Sequence, residues 1–267
     1  MAFDGLRVLS LESRRSAEIE KLIRAQGGEP FIAPSMREVP LEQNDEAFAF
    51  AERLFTGEFE MMILLTGVGT RLLAHIIETR HPRGSFADAL RKLTVVARGS
   101  KPIAVLREWN VPVAVAVPEP NTWREILAAI DGRMERLIAI QEYGTSNLDL
   151  VAALRGRGAE VTTVRVYQWD LPLDIAPLRE AAARLNAGAF DVVLFTTSMQ
   201  VTHLLRIAGD GIRDALRKVV IGSVGPTTTK TLADIGLRPD VQPSHPKMGF
   251  LVNETAARAP EILRAKR

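Results

Sequence analysis

The stretch "LRVLSLESRRSAEIEKLIRAQGGE", residues 6–29, runs from a short apolar segment through a polar turn into an amphipathic segment that stops at Gly27 and Gly28. It reads as one strand and one helix. The same design returns 131 positions later as "LIAIQEYGTSNLDLVAALRGRGAE", residues 137–160. At that offset Gly57-Glu58-Phe59-Glu60 falls on Gly188-Ala189-Phe190-Asp191, and each precedes an apolar run, "MMILLT" or "VVLFTT". An offset of 126 then places Ala89-Leu90-Arg91-Lys92 on the identical Ala215-Leu216-Arg217-Lys218, and one more residue aligns Pro112 with Pro239. Self-similarity of this extent predicts two copies of one α/β domain.

Apolar or β-branched runs bounded by turn signals predict strands at 6–11, 30–34, 60–65, 93–96 and 113–117 in one half. In the other they fall at 136–140, 160–167, 190–196, 219–222 and 239–242, with helical segments between nearly all of them. That alternation predicts parallel sheets covered on both faces. Pro34, Pro40 and Pro172 interrupt "PSMREVPLEQ" and "YQWDLPLD", each after a second strand, and read as linkers. Two organisations fit: domains cut at the middle, or domains that exchange their first βαβ unit so that the chain crosses between them twice.

The 267 residues suit two domains, and 46% apolar with 25% charged residues is ordinary for a globular chain. No apolar run approaches the roughly 18 residues of a membrane span. The start lacks a secretory pattern, so a cytoplasmic protein is expected. There is no cysteine, and His75, His81, His203 and His245 have no zinc-ligand spacing, so no metal is expected. The net charge of +2 with a pI near 9.1 leans mildly towards anionic partners. Basic residues are spread over helices and not clustered with aromatics, so the nucleic-acid footprint is weak. The final Ala-Lys-Arg reads as a solvated tail.

Small hydroxylated turns follow the third strand of each half: Thr66-Gly67-Val68-Gly69-Thr70-Arg71, and Thr196-Thr197-Ser198-Met199-Gln200. Both open helices, where free amides and hydroxyls suit a carboxylate or phosphate. The plainer reading makes them N-caps. Arg98-Gly99-Ser100-Lys101 and Ser223-Val224-Gly225-Pro226-Thr227-Thr228 invite the same two readings. Neither is a Walker loop, and Gly67-Val68-Gly69 lacks the third glycine of a dinucleotide fingerprint, which disfavours ATP and NAD. Arg14 and Arg15, with Thr145 and Ser146 as counterparts, follow the first strands; the arginines either fork onto carboxylates or start a helix in solvent. Tyr167, at the end of a strand running into "RVYQWD", is either a proton donor in an interdomain cleft or a half-buried aromatic with its hydroxyl in water. His245 and Lys247 in "PSHPKMG" line that cleft or shape a loop.

In order, "SRRSAEIEKLIRAQGGEP", "LLTGVGTR", "RGSKP", "RVYQWDLP", "VLFTTSMQV", "IGSVGPTTTKTLADIGLRPDV" and "PSHPKMGFLV" resemble the uroporphyrinogen-III synthase family over nearly the whole chain. The resemblance implies two flavodoxin-like domains joined by a two-stranded linker, residues 1–37 with 170–267 and an inserted 38–169. It implies a lyase that converts hydroxymethylbilane, a substrate with eight carboxylates, into uroporphyrinogen III, losing water and inverting ring D without a cofactor. By position it implies that Tyr167 assists departure of the hydroxyl group, and that Thr197 and Thr228 bind carboxylates. Thr66, Gly67 and Lys101 occupy the equivalent turns of the other domain, and Ser198, Arg14, Arg15 and Lys247 complete the expected substrate-binding set. Threonine replaces serine at 197, and Lys101 stands where many relatives have threonine. A monomer that binds neither membrane nor nucleic acid is expected. The alternative is a non-catalytic two-lobed regulatory module for an anionic metabolite, which would keep the anion turns and need no Tyr167; a glycosyltransferase would need a nucleotide site that the sequence lacks.

Overall fold

The computed structural model describes residues 3–40, 44–144, 146–209 and 211–266. The chain divides into two compact units, Met1–Arg37 with Asp170–Arg267, and Glu38–Trp169.

In the discontinuous unit, β1 (Arg7–Ser10), β2 (Glu29–Ile32), β10 (Val192–Phe195) and β11 (Val220–Ser223) form a parallel sheet in the order β11-β10-β1-β2. Its apolar strands alternate between two cores. Val193, Phe195, Leu9 and Ile221 face α8 (Ala176–Asn186), α9 (Ser198–Ala208), α10 (Ile212–Arg217) and α11 (Pro226–Asp234). Val8, Val192, Leu194 and Val220 face α1 (Ser16–Ala25) and α12 (Met248–Lys266). Every residue of β10 and β11 is buried, as parallel strands covered on both faces require. The expected strand at 239–242 is reduced to one bridge, Val241 on Gly222, because the next residues turn away into the loop before α12.

In the continuous unit, β4 (Met61–Leu64), β5 (Thr94–Ala97), β6 (Val115–Ala116), β7 (Leu137–Glu142) and β8 (Glu160–Arg165) are ordered β6-β5-β4-β7-β8, again parallel. Met62, Leu64, Val95 and Ala97 pack with α2 (Asp45–Phe55), α3 (Gly67–Ile77), α4 (Ser85–Leu90) and α5 (Ser100–Glu108). Met61, Ile63, Val96, Ile138 and Ile140 pack with α6 (Trp123–Ala129) and α7 (Leu148–Gly156).

Each sheet therefore has the flavodoxin-like order 2-1-3-4-5, counted from the strand at 7 in one unit and from the strand at 137 in the other. The βαβ at 7–32 sits in the sheet of β10 and β11, and the βαβ at 137–165 sits in the sheet of β4, β5 and β6. The two crossings of the chain, β3 (Arg37–Pro40) and β9 (Tyr167–Asp170), pair as a two-stranded sheet. The single strand expected at 160–167 is thus two strands broken at Val166, because Tyr167 leaves the ladder of β7 for that of β3. The end of the chain is no solvated tail as far as it is described. Lys266 is helical, and its Nζ donates to Val219 O at 2.7 Å and Asp240 Oδ2 at 2.7 Å.

Candidate active site

The carboxyl ends of four adjacent strands in the continuous unit carry Arg98 after β5, Leu65 and Thr66 after β4, Tyr143 after β7 and Tyr167 after β8. The strand order reverses between β4 and β7, the switch point at which open parallel sheets bind ligands. Thr66 caps α3: its Oγ1 accepts from Gly69 N–H at 3.0 Å, and its own N–H donates to Gln141 Oε1 at 3.2 Å. The same Oγ1 lies 3.1 Å from the Tyr167 hydroxyl. Tyr167 is 1% exposed, stacked on Tyr143 at 6.2 Å and edge-on to Trp169 at 5.8 Å. Its hydroxyl therefore meets Thr66 inside the protein, which replaces the reading of a half-buried ring with its hydroxyl in water. Tyr167 is also the first residue of β9, not the end of β8.

Arg98 reaches across β4 to close the group. Its Nε donates to Leu65 O at 3.1 Å and its Nη2 to Tyr143 Oη at 3.0 Å. Gly67 permits the Thr66 turn to touch the next one, since a Cβ there would stand 2.8 Å from Lys101 O. The Lys101 side chain is exposed at the start of α5.

In the discontinuous unit, Arg14 and Arg15 are exposed, but the amides of their turn are already paired. Glu12 Oε1 accepts from Arg14 N–H at 3.0 Å and Arg15 N–H at 3.2 Å, while Glu12 Oε2 accepts from the Thr196 hydroxyl. The Arg15 guanidinium pairs with Glu18 along α1. Thr197 caps α9, accepting from Met199 N–H at 3.4 Å, and Ser198 is half-buried beside it. Thr228 is 3% exposed in the first turn of α11. Lys247 is exposed at the entrance to α12, where its carbonyl accepts from Leu251 N–H. The turn after β7 repeats the internal carboxylate: Glu142, 1% exposed, accepts from Ser146 Oγ at 2.7 Å and Asn147 N–H at 3.0 Å. Thr145 lies outside the described residues.

Thr66, Gly67, Lys101 and Tyr167 thus fall in one unit and Arg14, Arg15, Thr197, Ser198, Thr228 and Lys247 in the other. The sequence singles out neither Glu12, Gln141 nor Tyr143, and it offers Arg98 only as part of the turn that runs to Lys101. Two signals were on hand: Tyr143 is the chain's other tyrosine, and at the 131-residue offset it occupies the position of Glu12. Among the described residues no group of three His, Asp or Glu could hold a metal ion, and no helix is long and apolar enough to cross a membrane.

Two flavodoxin-like units with hydroxylated turns at their strand ends define a duplicated α/β protein. The family model described as uroporphyrinogen-III synthase HemD matches residues 17–253, so the chain belongs to that family. An uncharacterized protein of Bacillus subtilis, YjjA, is 27% identical over 94% of this chain and 95% of its own length. A protein of Methanothermobacter thermautotrophicus, provisionally named a uroporphyrinogen-III synthase, is 29% identical over 84% of this chain and 87% of its own. The crystal structure of a mutant uroporphyrinogen III synthase from Thermus thermophilus has the same fold, with a TM-score of 0.72 at 23% identity, covering 97% of this chain and all of that one.

Proposed function

We propose that the chain is a lyase that cyclises hydroxymethylbilane to uroporphyrinogen III, with loss of water and inversion of ring D, without a metal or cofactor. The observation that carries this reading beyond family membership is the contact of the Tyr167 hydroxyl with Thr66 Oγ1, 3.1 Å apart at the switch point of a parallel sheet. Thr66 accepts from Gly69 N–H. If it also accepts from Tyr167, both its lone pairs are used and its own hydroxyl proton is left for a third partner. Thr66 is half-exposed and Tyr167 buried, so the acid acts through Thr66. One proton passes from Tyr167 through Thr66 to the leaving oxygen, which departs as water.

Without an enzyme the bilane closes to the symmetrical isomer, so the protein must also choose which carbon of ring D reacts. Holding a flexible chain in one reactive conformation is worth up to roughly 7–11 kcal/mol in favourable cases. In this reading Thr66, Gly67, Lys101, Thr197, Ser198, Thr228, Lys247, Arg14 and Arg15 bind substrate carboxylates. The protein works as a cytoplasmic monomer without nucleic acid.

The test is incubation with enzymatically made hydroxymethylbilane, followed by oxidation and HPLC of the uroporphyrin isomers. Type III in excess over type I is expected; a product identical to the spontaneous type I mixture would overturn the reading.

A further inference from the structure

We propose that Arg98 is a substrate-carboxylate receptor, held by Leu65 and Tyr143 at one side of its guanidinium so that the remaining donors meet an incoming anion. The identity of that anion rests on the function proposed above.

A guanidinium has five N–H donors in a fixed plane. The Arg98 bonds to Leu65 O and Tyr143 Oη use two of them, one on Nε and one on Nη2. Both partners are neutral, so they orient the group without balancing its charge. Other arginines, including Arg7, Arg53 and Arg71, face a carboxylate. Among the described residues no carboxylate pairs with Arg98. Arg98 is half-buried, so its charge is less well hydrated than one in open water, and an arriving anion would meet a cation that no carboxylate has neutralised.

Its place makes the anion a ligand. Arg98 projects from the end of β5 over the end of β4, beside the switch point, and bonds Leu65, the residue before Thr66, and Tyr143, whose ring stacks on Tyr167. The guanidinium lies 5.2 Å from the centroid of the Tyr143 ring, whose other neighbour is Tyr167. A forked, charge-assisted contact to a carboxylate fits its free edge, and a lysine ammonium would not reproduce that geometry. Arg98 would then fix one carboxylate of the tetrapyrrole against the face that carries Tyr167 and Thr66.

The probe is uroporphyrin III, with eight carboxylates, titrated by fluorescence at low and high salt against the full chain and its variants, with melting temperatures recorded. Arg98→Gln is expected to weaken binding about tenfold or more and to reduce its salt dependence. Tyr143→Phe is expected to weaken binding a few-fold with the salt dependence intact, because the charge stays and only its orientation is lost. Failure of the parent to bind, or binding by Arg98→Gln that matches the parent at both salt levels, would overturn the inference. Should Arg98→Gln fail to fold, Arg98→Lys decides: weakened binding at parental melting temperature supports the fork, and unchanged binding overturns it. The titration reads no turnover. A chain that makes type III while its binding ignores Arg98 would sink this inference alone, and one that makes only type I while its binding depends on Arg98 would sink the proposed function alone.

Discussion

Thr66 ends β4's turn, caps α3 and meets Tyr167 through a single oxygen. Replacing Tyr167 by Phe keeps the buried ring and removes only the hydroxyl, so stability should change little while type III formation falls about a hundredfold, the range of a lost proton donor. Thr66→Ser keeps the hydroxyl and should retain most activity, whereas Thr66→Val should resemble Tyr167→Phe. HPLC of isomers with parallel thermal melts separates these outcomes, and a Tyr167→Phe protein with the parental rate would remove the hydroxyl from the mechanism. Close packing gives a second test. A Cβ at Gly69 would stand 2.1 Å from Gln141 Nε2, so Gly69→Ala must displace the amide that holds Thr66 N–H. A loss of about 1–3 kcal/mol in urea unfolding is expected. The residue types of this turn were readable in the sequence. Their contact with Tyr167 was not, because 101 positions separate the two and only the sheet brings them together.

The turn between β1 and α1 shows how an element can present an anion site in sequence and fill it in structure. Arg14 and Arg15 read as carboxylate ligands, yet Glu12 has already taken both their amides and the Thr196 hydroxyl. The amides of this turn are bound to an acceptor inside the protein, and the Arg15 guanidinium is paired with Glu18. Glu12→Ala leaves three donors without their acceptor and should cost about 1–3 kcal/mol in urea unfolding. A variant as stable as the parent would mean that water replaces the carboxylate at no cost. Strand ends were blurred for a related reason. β-Branched and aromatic residues run from Val161 to Tyr167, interrupted only by Arg165, with no turn residue among them, and only the change of ladder partner at Val166 splits the run into β8 and β9.

The division into two units predicts which fragments fold. Residues 38–169 contain all five strands of one sheet, so this fragment should melt cooperatively by circular dichroism. A fragment ending at residue 131 lacks β7, the partner of β4, and β8, and should show no such transition. Cooperative melting of the shorter piece would contradict the swapped topology as the source of stability. Acid should weaken the same unit through Glu135. Burial alone would raise its carboxyl, but hydrogen bonds from Arg133 and Thr94 outweigh burial and hold it down to about 2. The folded-state value lies below the unfolded one, so this stabilisation is present above about pH 4.5 and is lost as pH falls towards 2. On the order of 2–3 kcal/mol is at stake. Urea midpoints at pH 5 and pH 2.5 should differ less in Glu135→Gln than in the parent.

What the sequence alone determined is local and periodic: two copies of a βα design, apolar strands short enough for parallel sheets, hydroxylated turns where helices begin. Those features depend on neighbours within a few positions, and a repeat can be counted without knowing the fold. Tertiary structure decided which copy of the βαβ unit joins which sheet, that Glu12 fills its own turn, and that Arg98, Tyr143, Tyr167 and Thr66 share one group. Apart from the bonds of Glu12 to the neighbouring amides of Arg14 and Arg15, these depend on contacts between segments tens to hundreds of residues apart. Chain closure over such distances leaves almost no mark on local composition, because its entropic cost grows only slowly with length.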